Sequence, residues 1–460
     1  MSLVRTLFDF KPLRSAIAAG ALLRGGIYLL LGSRYRGIKD LCWVYRVAGI
    51  GLYRRIAIRA IKKSALSASA AGSNEILDSF LRSRFASSAA RKYVQSGNGG
   101  SNDLFRDVMV LKKQDKAEKG VIIIKYAKTF EAFLSFFDMD RVSERFFIVL
   151  EPCWAGYCDP SILMFVSPGR RVFVQCFTDD DFDFISGFSP SLVPIRMGPA
   201  DWVDSDLFKP LPVLEKDYDF VMVANWARHK RHDALFKALK RIKDRRMKVL
   251  LIGFNWGGRT TADMERLASG VNNRFVEIEI KENLKQSEIC EYLSRSKAYV
   301  FLSWKEGDNK ALVEAMFAGL PAIVYRHSIG GAVNRINSRT GILTTYEELD
   351  RNLLYMLDNY RRFTPREWAV ANTGSRISTG RLDGLIRKTA LECGERYEKA
   401  IAEKTNSPNL AYRDPGMLGH FADEYAFLRR SFRDRWSGRS PNSRSGSRGR
   451  TEQGRSAEPT

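Results

Sequence analysis

The chain has 460 residues, 45% of them hydrophobic and 27% charged, a globular composition with enough apolar material for two domains, which argues against a chain disordered throughout. Its formal net charge of +22 is concentrated at the ends: residues 1–65 hold 13 basic and 2 acidic side chains, and residues 429–460 hold 9 and 3. Four histidines (His229, His232, His327, His420) leave little material for an all-histidine metal site or a Ser-His-Asp triad, and the six cysteines contain no C-x-x-C pair, as expected of reduced thiols in a reducing compartment.

Residues 1–65 alternate short apolar runs with arginines. Residues 15–23 and 25–31 are apolar but divided by Arg24, so neither run approaches the roughly 20 apolar residues that a spanning helix needs. No small-residue cleavage site leads into a polar mature sequence, so a signal peptide is not expected. With Arg34, Arg36, Lys39, Arg54, Arg55, Arg59, Lys62 and Lys63, the runs suit helices lying on an anionic bilayer surface, or equally helices packed on the body with their arginines outward. Residues 64–100, rich in Ser, Ala and Gly, suit a helix and a flexible connection. Residues 1–100 are thus expected to form a basic helical extension and linker.

From Asp107 the pattern is strand and helix in alternation. Residues 108–111, 120–124, 146–150 and 171–174 are strand-like and 129–137 helical, which suggests a first Rossmann-like domain over 101–208. Residues 201–210 suit an interdomain linker. Six further strand candidates, 220–224, 248–252, 274–278, 298–302, 322–324 and 341–343, alternate with helices and predict a doubly wound second domain over 209–385. Residues 385–435 read as helical with a break at 406–415, and 436–460, rich in Ser, Arg and Gly, are expected to be disordered.

The strongest functional signal is residues 303–321. An apolar strand, 298–302, precedes Glu306; the turn Gly307-Asp308-Asn309 leads into a helix over 310–318, which Gly319 and Pro321 stop. Ligands of parallel sheets sit at the carboxyl ends of the strands, so Glu306 and Glu314 would flank a crevice, about 12 Å apart if the interval were helical. The helix start offers backbone N–H groups to a phosphate. Lys230 and Arg231, after the first strand of the same half, stand at another carboxyl end. Solvated glutamates on an ordinary α/β unit are the competing explanation.

Together with Glu314-Ala-Met-x-Ala-Gly-x-Pro321, Gly330-Gly331 and Thr340-Gly341, the segment from about Phe220 to Leu343 resembles the E-x7-E region of the retaining GT-B glycosyltransferases of family 4, glycosyltransferase group 1. The resemblance implies an α/β GT-B fold of two Rossmann-like domains, here with a basic N-terminal extension, C-terminal helices over 386–435 crossing back to the first domain, and a disordered tail. It implies a retaining hexosyltransferase that moves a sugar from a nucleotide-sugar donor. By the resemblance, Glu306 and Lys230 are catalytic, Glu306 by positioning and electrostatics beside the donor sugar and Lys230 by neutralising the diphosphate without a metal. Arg228, Arg231, Gly307, Asp308, Asn309 and Lys310 would bind the donor's sugar and phosphates, and Glu314 the ribose hydroxyls. The family's usual arginine before the lysine is replaced by Ala224 or Asn225, so Arg228 or Arg231 would substitute.

On the acceptor side, the loop Glu151–Pro160 combines aromatic residues, glycine and acids, which makes Trp154 and Tyr157 candidate contacts, against a rigid turn with a buried Trp154. Thr178–Asp183 contains an Asp-x-Asp of the kind metal-dependent transferases place on a pyrophosphate, but acids at a helix start explain it better. No cofactor and no metal are expected. The expected partners are a nucleotide-sugar, an acceptor glycan or lipid-linked glycan, and an anionic membrane surface met from the cytoplasm; nucleic acid is not expected. An NAD-linked oxidoreductase lacks its G-x-G-x-x-G after any strand. A nucleic-acid-binding protein, suggested by net charge and the arginine-rich tail, and a non-catalytic sugar-binding relative are the alternatives.

Overall fold

The computed structural model describes residues 11–47, 51–67, 74–94, 105–211, 215–271, 274–407 and 409–431, with the side chains of 11–14 and 91–94 excepted. The tail expected over 436–460, and parts of the connection expected within 64–100, lie outside these residues.

The first half is built on five strands, β1 (Val108–Lys112), β2 (Gly120–Lys125), β3 (Phe146–Glu151), β4 (Val172–Gln175) and β5 (Leu192–Ile195). They stand side by side in chain order, β2 to β5 parallel and β1 antiparallel on the edge. β2, β3 and β4 are buried along their whole length, which is why they are continuous apolar runs rather than alternating ones. β5 escapes sequence reading because Pro194 interrupts a four-residue strand; proline is tolerated at a sheet edge, where its missing donor costs no ladder bond.

The second half holds β6 (Tyr218–Val223), β7 (Met247–Gly253), β8 (Val276–Glu282), β9 (Ser296–Phe301), β10 (Ala322–Tyr325) and β11 (Gly341–Thr344). All are parallel, in the order β11-β10-β9-β6-β7-β8. The winding reverses between β6 and β9, so the loops at their carboxyl ends open a crevice at this switch point.

The N-terminal helices Lys11–Leu30, Arg34–Val47 and Leu52–Leu66 pack on the first half. Tyr35, Ile38, Leu41, Cys42 and Val44 share its core with Phe130 and Phe133. Tyr35 Oη donates to Glu131 Oε1 at 2.7 Å, and Lys62 Nζ donates to the Gly187 carbonyl at 2.6 Å. The packing is one-sided. Leu52, Arg55, Ile56, Arg59, Lys63 and Leu66 remain exposed on one stripe of the third helix, and Leu23, Ile27, Leu30 and Leu31 on and just past the end of the first. The helices thus pack on the body, as one of the two sequence readings expected, and leave part of their basic and apolar residues outward. No helix among the described residues is long and apolar enough to cross a membrane.

After the second sheet the helix Ser375–Glu392 ends at Cys393, with Gly394 in the left-handed region that stops helices cheaply. The sequence reading placed helix only from 385, because Gly380 and Gly384 weaken its start. A small hairpin, Lys404–Thr405 against Ala411–Tyr412, and the helix Ala422–Arg430 return the chain to the first half. There Tyr412 Oη donates to the Val110 carbonyl at 2.6 Å, and the Val110 N–H donates to Tyr425 Oη at 3.2 Å.

The halves are joined by a buried ionic cluster. The Arg335 guanidinium lies between Asp201 (2.9 Å) and Asp308, whose oxygens accept from Nη2 at 2.7 and 2.9 Å. The Ala200 N–H donates to Asp308 at 2.9 Å, and Thr373 Oγ1 to Asp201 at 2.5 Å. Removing one member leaves the others charged, buried and unpaired. Arg335→Ala is therefore expected to destabilise the protein by about 3–5 kcal/mol, as measured by denaturant unfolding; a loss below ~1 kcal/mol, the range of exposed pairs, contradicts this account.

Candidate active site

β6 and β9 each end in a loop that carries a charged residue into the crevice. After β6, the turn Arg228–Lys230 places the Lys230 ammonium in a buried position. After β9, residues 302–309 bring Glu306 against it, and the two form an ion pair. Ser303 Oγ donates to the same Glu306 oxygen at 3.0 Å. The backbone locks the arrangement: the Trp304 N–H donates to the His229 carbonyl at 3.1 Å, and the Glu306 N–H to the Ile329 carbonyl at 2.9 Å. A Cβ at Gly330, where φ is +147°, would lie 2.5 Å from the Glu306 carbonyl oxygen, so only glycine lets this loop close on that one.

The turn after Glu306 touches the first half. A Cβ at Gly307 would sit 1.8 Å from the Cys153 carbonyl oxygen, which marks direct backbone contact between the halves. Asp308 is turned away from the crevice into the ionic cluster with Arg335, so it has a structural partner rather than an open face. Asn309 caps the helix Lys310–Phe317, its Oδ1 accepting from the Leu312 N–H at 2.8 Å. Lys310 Nζ donates to the Asn406 carbonyl at 2.7 Å, and burial lowers its pKa.

Glu314 is buried and accepts from Ser407 Oγ at 2.8 Å and Gln286 Nε2 at 3.3 Å. Arg231 has a left-handed backbone, φ +64°, with its guanidinium on Asp233 (3.1 and 3.2 Å) and over the Tyr346 ring. Arg228 is exposed at the start of its turn. Trp154 is 53% exposed with its ring 6.5 Å from the His229 imidazole, so the buried-Trp154 turn is not what the chain builds. Tyr157 is the buried one: its hydroxyl donates to the Gln175 carbonyl at 2.8 Å, and it presents no surface to an acceptor. In the Asp-x-Asp stretch Thr178 caps the helix Asp179–Phe188, Asp179 pairs with Arg196, and Asp181 accepts from the Gly156 and Tyr157 N–H groups. Among the described residues no group of three or more His, Cys, Asp or Glu side chains is placed to hold a metal ion.

A second set of charges escaped the sequence reading. Lys125 and Glu151 end the neighbouring strands β2 and β3 in register. Glu151 is buried, with Lys404 Nζ at 2.7 Å and Asn406 Nδ2 at 2.9 Å, and Lys125 Nζ donates to Asn406 Oδ1 at 3.2 Å. Burial pushes the Lys404 amine down to about 7, while the cations hold Glu151 below the usual carboxylate value. Opposite charges at the same register, each ending an apolar run, were the available signal. Residues 404–407 thus form a buried strap from Glu151 in the first half to Glu314 in the second.

Residues 204–362 match the family model for glycosyl transferases group 1. That span holds Lys230, Glu306, Glu314 and Arg335, while Asp201, Glu151 and the strap lie outside it. Among solved structures the chain is similar to the sucrose-phosphate synthase of Thermosynechococcus elongatus, at 16% identity over 59% of this chain and 74% of that one, with a TM-score of 0.47. It is also similar to HepE of Anabaena in complex with UDP-glucose, at 16% identity over 57% and 78% of the two chains, TM-score 0.44. A glycosyltransferase from Rickettsia africae matches at 17% identity over 60% and 77%, TM-score 0.45. No curated protein matches the sequence. The chain thus has two α/β halves, with the group 1 match on the second.

Burial raises the pKa of Glu314 above its ordinary 4.5. An acid raised on folding contributes stability that is intact below its unfolded value and is lost as pH rises through its folded value. Glu314→Gln removes that loss and keeps a side-chain oxygen for Ser407 and Gln286. Its melting temperature is expected to gain on that of the wild type as pH rises above 4.5, and a difference that stays constant from pH 4 to pH 8 contradicts the burial account.

Proposed function

We propose that the chain is a retaining, metal-independent glycosyltransferase that moves a sugar from a nucleotide-sugar donor to a glycan or lipid-linked acceptor. The observation that carries this reading is the Lys230–Glu306 pair at the carboxyl ends of the two strands flanking the switch point, within the span that matches the group 1 family. An ammonium has three donors, of which Glu306 takes one; the others suit the oxygens of a diphosphate. The acceptor oxygen would bond to the anomeric carbon on the face from which the diphosphate departs, as the carbon–oxygen bond to the diphosphate breaks and the acceptor proton passes to a phosphate oxygen. Charge developing on the leaving group is then met by fixed cations, the kind of preorganised stabilisation that supplies most of such rate enhancements.

In this reading Glu306 orients Lys230 and the donor sugar, and Glu314 exchanges Ser407 and Gln286 for ribose hydroxyls. Arg228, Gly307, Asn309 and Lys310 line the donor's path, with Trp154 on the acceptor side. The extension adds a location: a stripe of Leu52, Ile56 and Leu66 with Arg55, Arg59 and Lys63 and no acid suits the surface of an anionic bilayer, on its cytoplasmic side.

Lys230→Ala is expected to lower kcat/KM by about 100- to 1,000-fold, as measured by nucleotide release from the donor that the enzyme uses, with activity retained in chelator. Glu306→Gln should reduce turnover with little change in melting temperature. Near-wild-type turnover in both variants would sink the assignment, and a strict need for Mg²⁺ or Mn²⁺ would overturn the metal-independent step.

A further inference from the structure

Behind the Glu306 loop lies a cavity of about 560 Å³ whose walls come from three parts of the chain. The N-terminal helices supply Arg46 and Arg54, the second half supplies Lys305 and Arg326, and Tyr45 and Phe184 form an apolar side. Tyr45 and Phe184 pack ring against ring at 5.3 Å, and the Arg54 guanidinium lies 4.2 Å over the Tyr45 ring with Nη2 donating to its hydroxyl at 2.8 Å. The stacking holds the guanidinium in place.

Three aspartates also line the cavity, and their commitments decide its sign. Asp179 is paired with Arg196, and Asp181 is taken by Thr178 and two backbone N–H groups. Arg46 is held by Asp159 at 3.1 Å. Among the described residues no carboxylate forms an ion pair with Arg54, Lys305 or Arg326, which leaves three cations against Asp180. Cations converging from separate elements on an apolar-sided cavity suit a phosphate bearing a carbon chain.

The neighbouring surface says where that chain would go. Arg54 faces the cavity, while Arg55 and Ile56, about 100° and 200° further round the same helix, belong to its outward stripe. A headgroup in the cavity would keep the start of its tail against Tyr45 and Phe184, while the stripe on the far face of the same helix is left to meet the lipid surface. Lys305 and Gly330 put the cavity directly beside the Glu306 loop.

We propose that this cavity receives the phosphate-bearing headgroup of an anionic lipid and that the N-terminal extension, by supplying Arg54, builds this part of the acceptor site. The binding claim stands on the cavity; its role as acceptor site rests on the transferase reading above.

The test titrates the full chain with dihexanoylphosphatidic acid below its micelle concentration, with inorganic phosphate, and separately with a panel of nucleoside diphosphates. The lipid should bind the wild type, bind the Arg54→Gln/Arg326→Gln variant at least tenfold more weakly, and resist displacement by inorganic phosphate at equal concentration. A nucleoside diphosphate that stabilises the wild type should stabilise the variant alike. Equal lipid binding by the two proteins overturns the proposal, and displacement by equimolar inorganic phosphate overturns the lipid assignment in favour of free phosphate. A lack of stabilisation of both proteins by every nucleoside diphosphate of the panel would remove the transferase reading without touching the lipid result.

Discussion

The Arg335 guanidinium between Asp201 and Asp308 is the constraint on which the rest depends. It fixes the turn that follows Glu306, because Asp308 is two residues on and has both oxygens engaged. It fixes that turn against the first half, because Asp201 and the Ala200 N–H belong to the segment after β5. Glu306 can therefore meet Lys230 only in the geometry that this cluster allows. Gly198 and Gly331 show how tightly it is packed: a Cβ on either would lie 2.6 Å from an Asp308 oxygen. Such a cluster is weak evidence for stability, since its desolvation cost offsets much of its attraction, but together with the strap and the Gly307–Cys153 contact it fixes how the two sheets meet.

Around it the crevice is lined by cations with low solvent exposure. Lys125, Lys230 and Lys404 each have a carboxylate within reach, and Lys310 is held by a carbonyl of the strap. Under the proposed transfer, charges fixed in this way would need no reorganisation when negative charge develops beside them, which would tie their burial cost to function rather than to folding. The strap ties that chemistry to the C-terminal segment. Ser407 donates to Glu314 and the Asn406 carbonyl accepts from Lys310, the two side chains that the proposed function gives to the nucleotide, while Asn406 is itself held by Glu151.

Five strands of the second half were legible as short, mainly apolar runs bounded by turn residues, whereas β8 alternates apolar and charged residues and begins two residues later and ends four residues later than the 274–278 candidate. The approach of Lys230 to Glu306 was legible only as two carboxyl-end positions in a parallel sheet. Asp308 shows where such reasoning stops: its place in the motif suggested the donor, but Arg335, 27 residues later, takes it inward. Tyr157 and Trp154 exchange the burial that their types suggest, since the tyrosine finds a carbonyl for its hydroxyl in the core while the indole faces His229 across the crevice. Ser407 lies 93 residues from Glu314 in a segment without periodicity, and nothing local marks it. The first half was legible as strands but not as an order: the edge strand β1 runs antiparallel, and β5 carries a proline.

The central claim is that the crevice at the switch point of the second sheet binds a nucleotide-sugar. A thermal-shift panel of nucleotide-sugars and their nucleoside diphosphates on the full chain tests it most directly, because a ligand that binds only the folded state stabilises it by mass action, by about 2.7 kcal/mol at a hundredfold excess over Kd. The account predicts that at least one nucleoside diphosphate and its sugar raise the melting temperature, and that Lys230→Ala abolishes most of the shift. A panel with no shift, or a shift unchanged in Lys230→Ala, would contradict it.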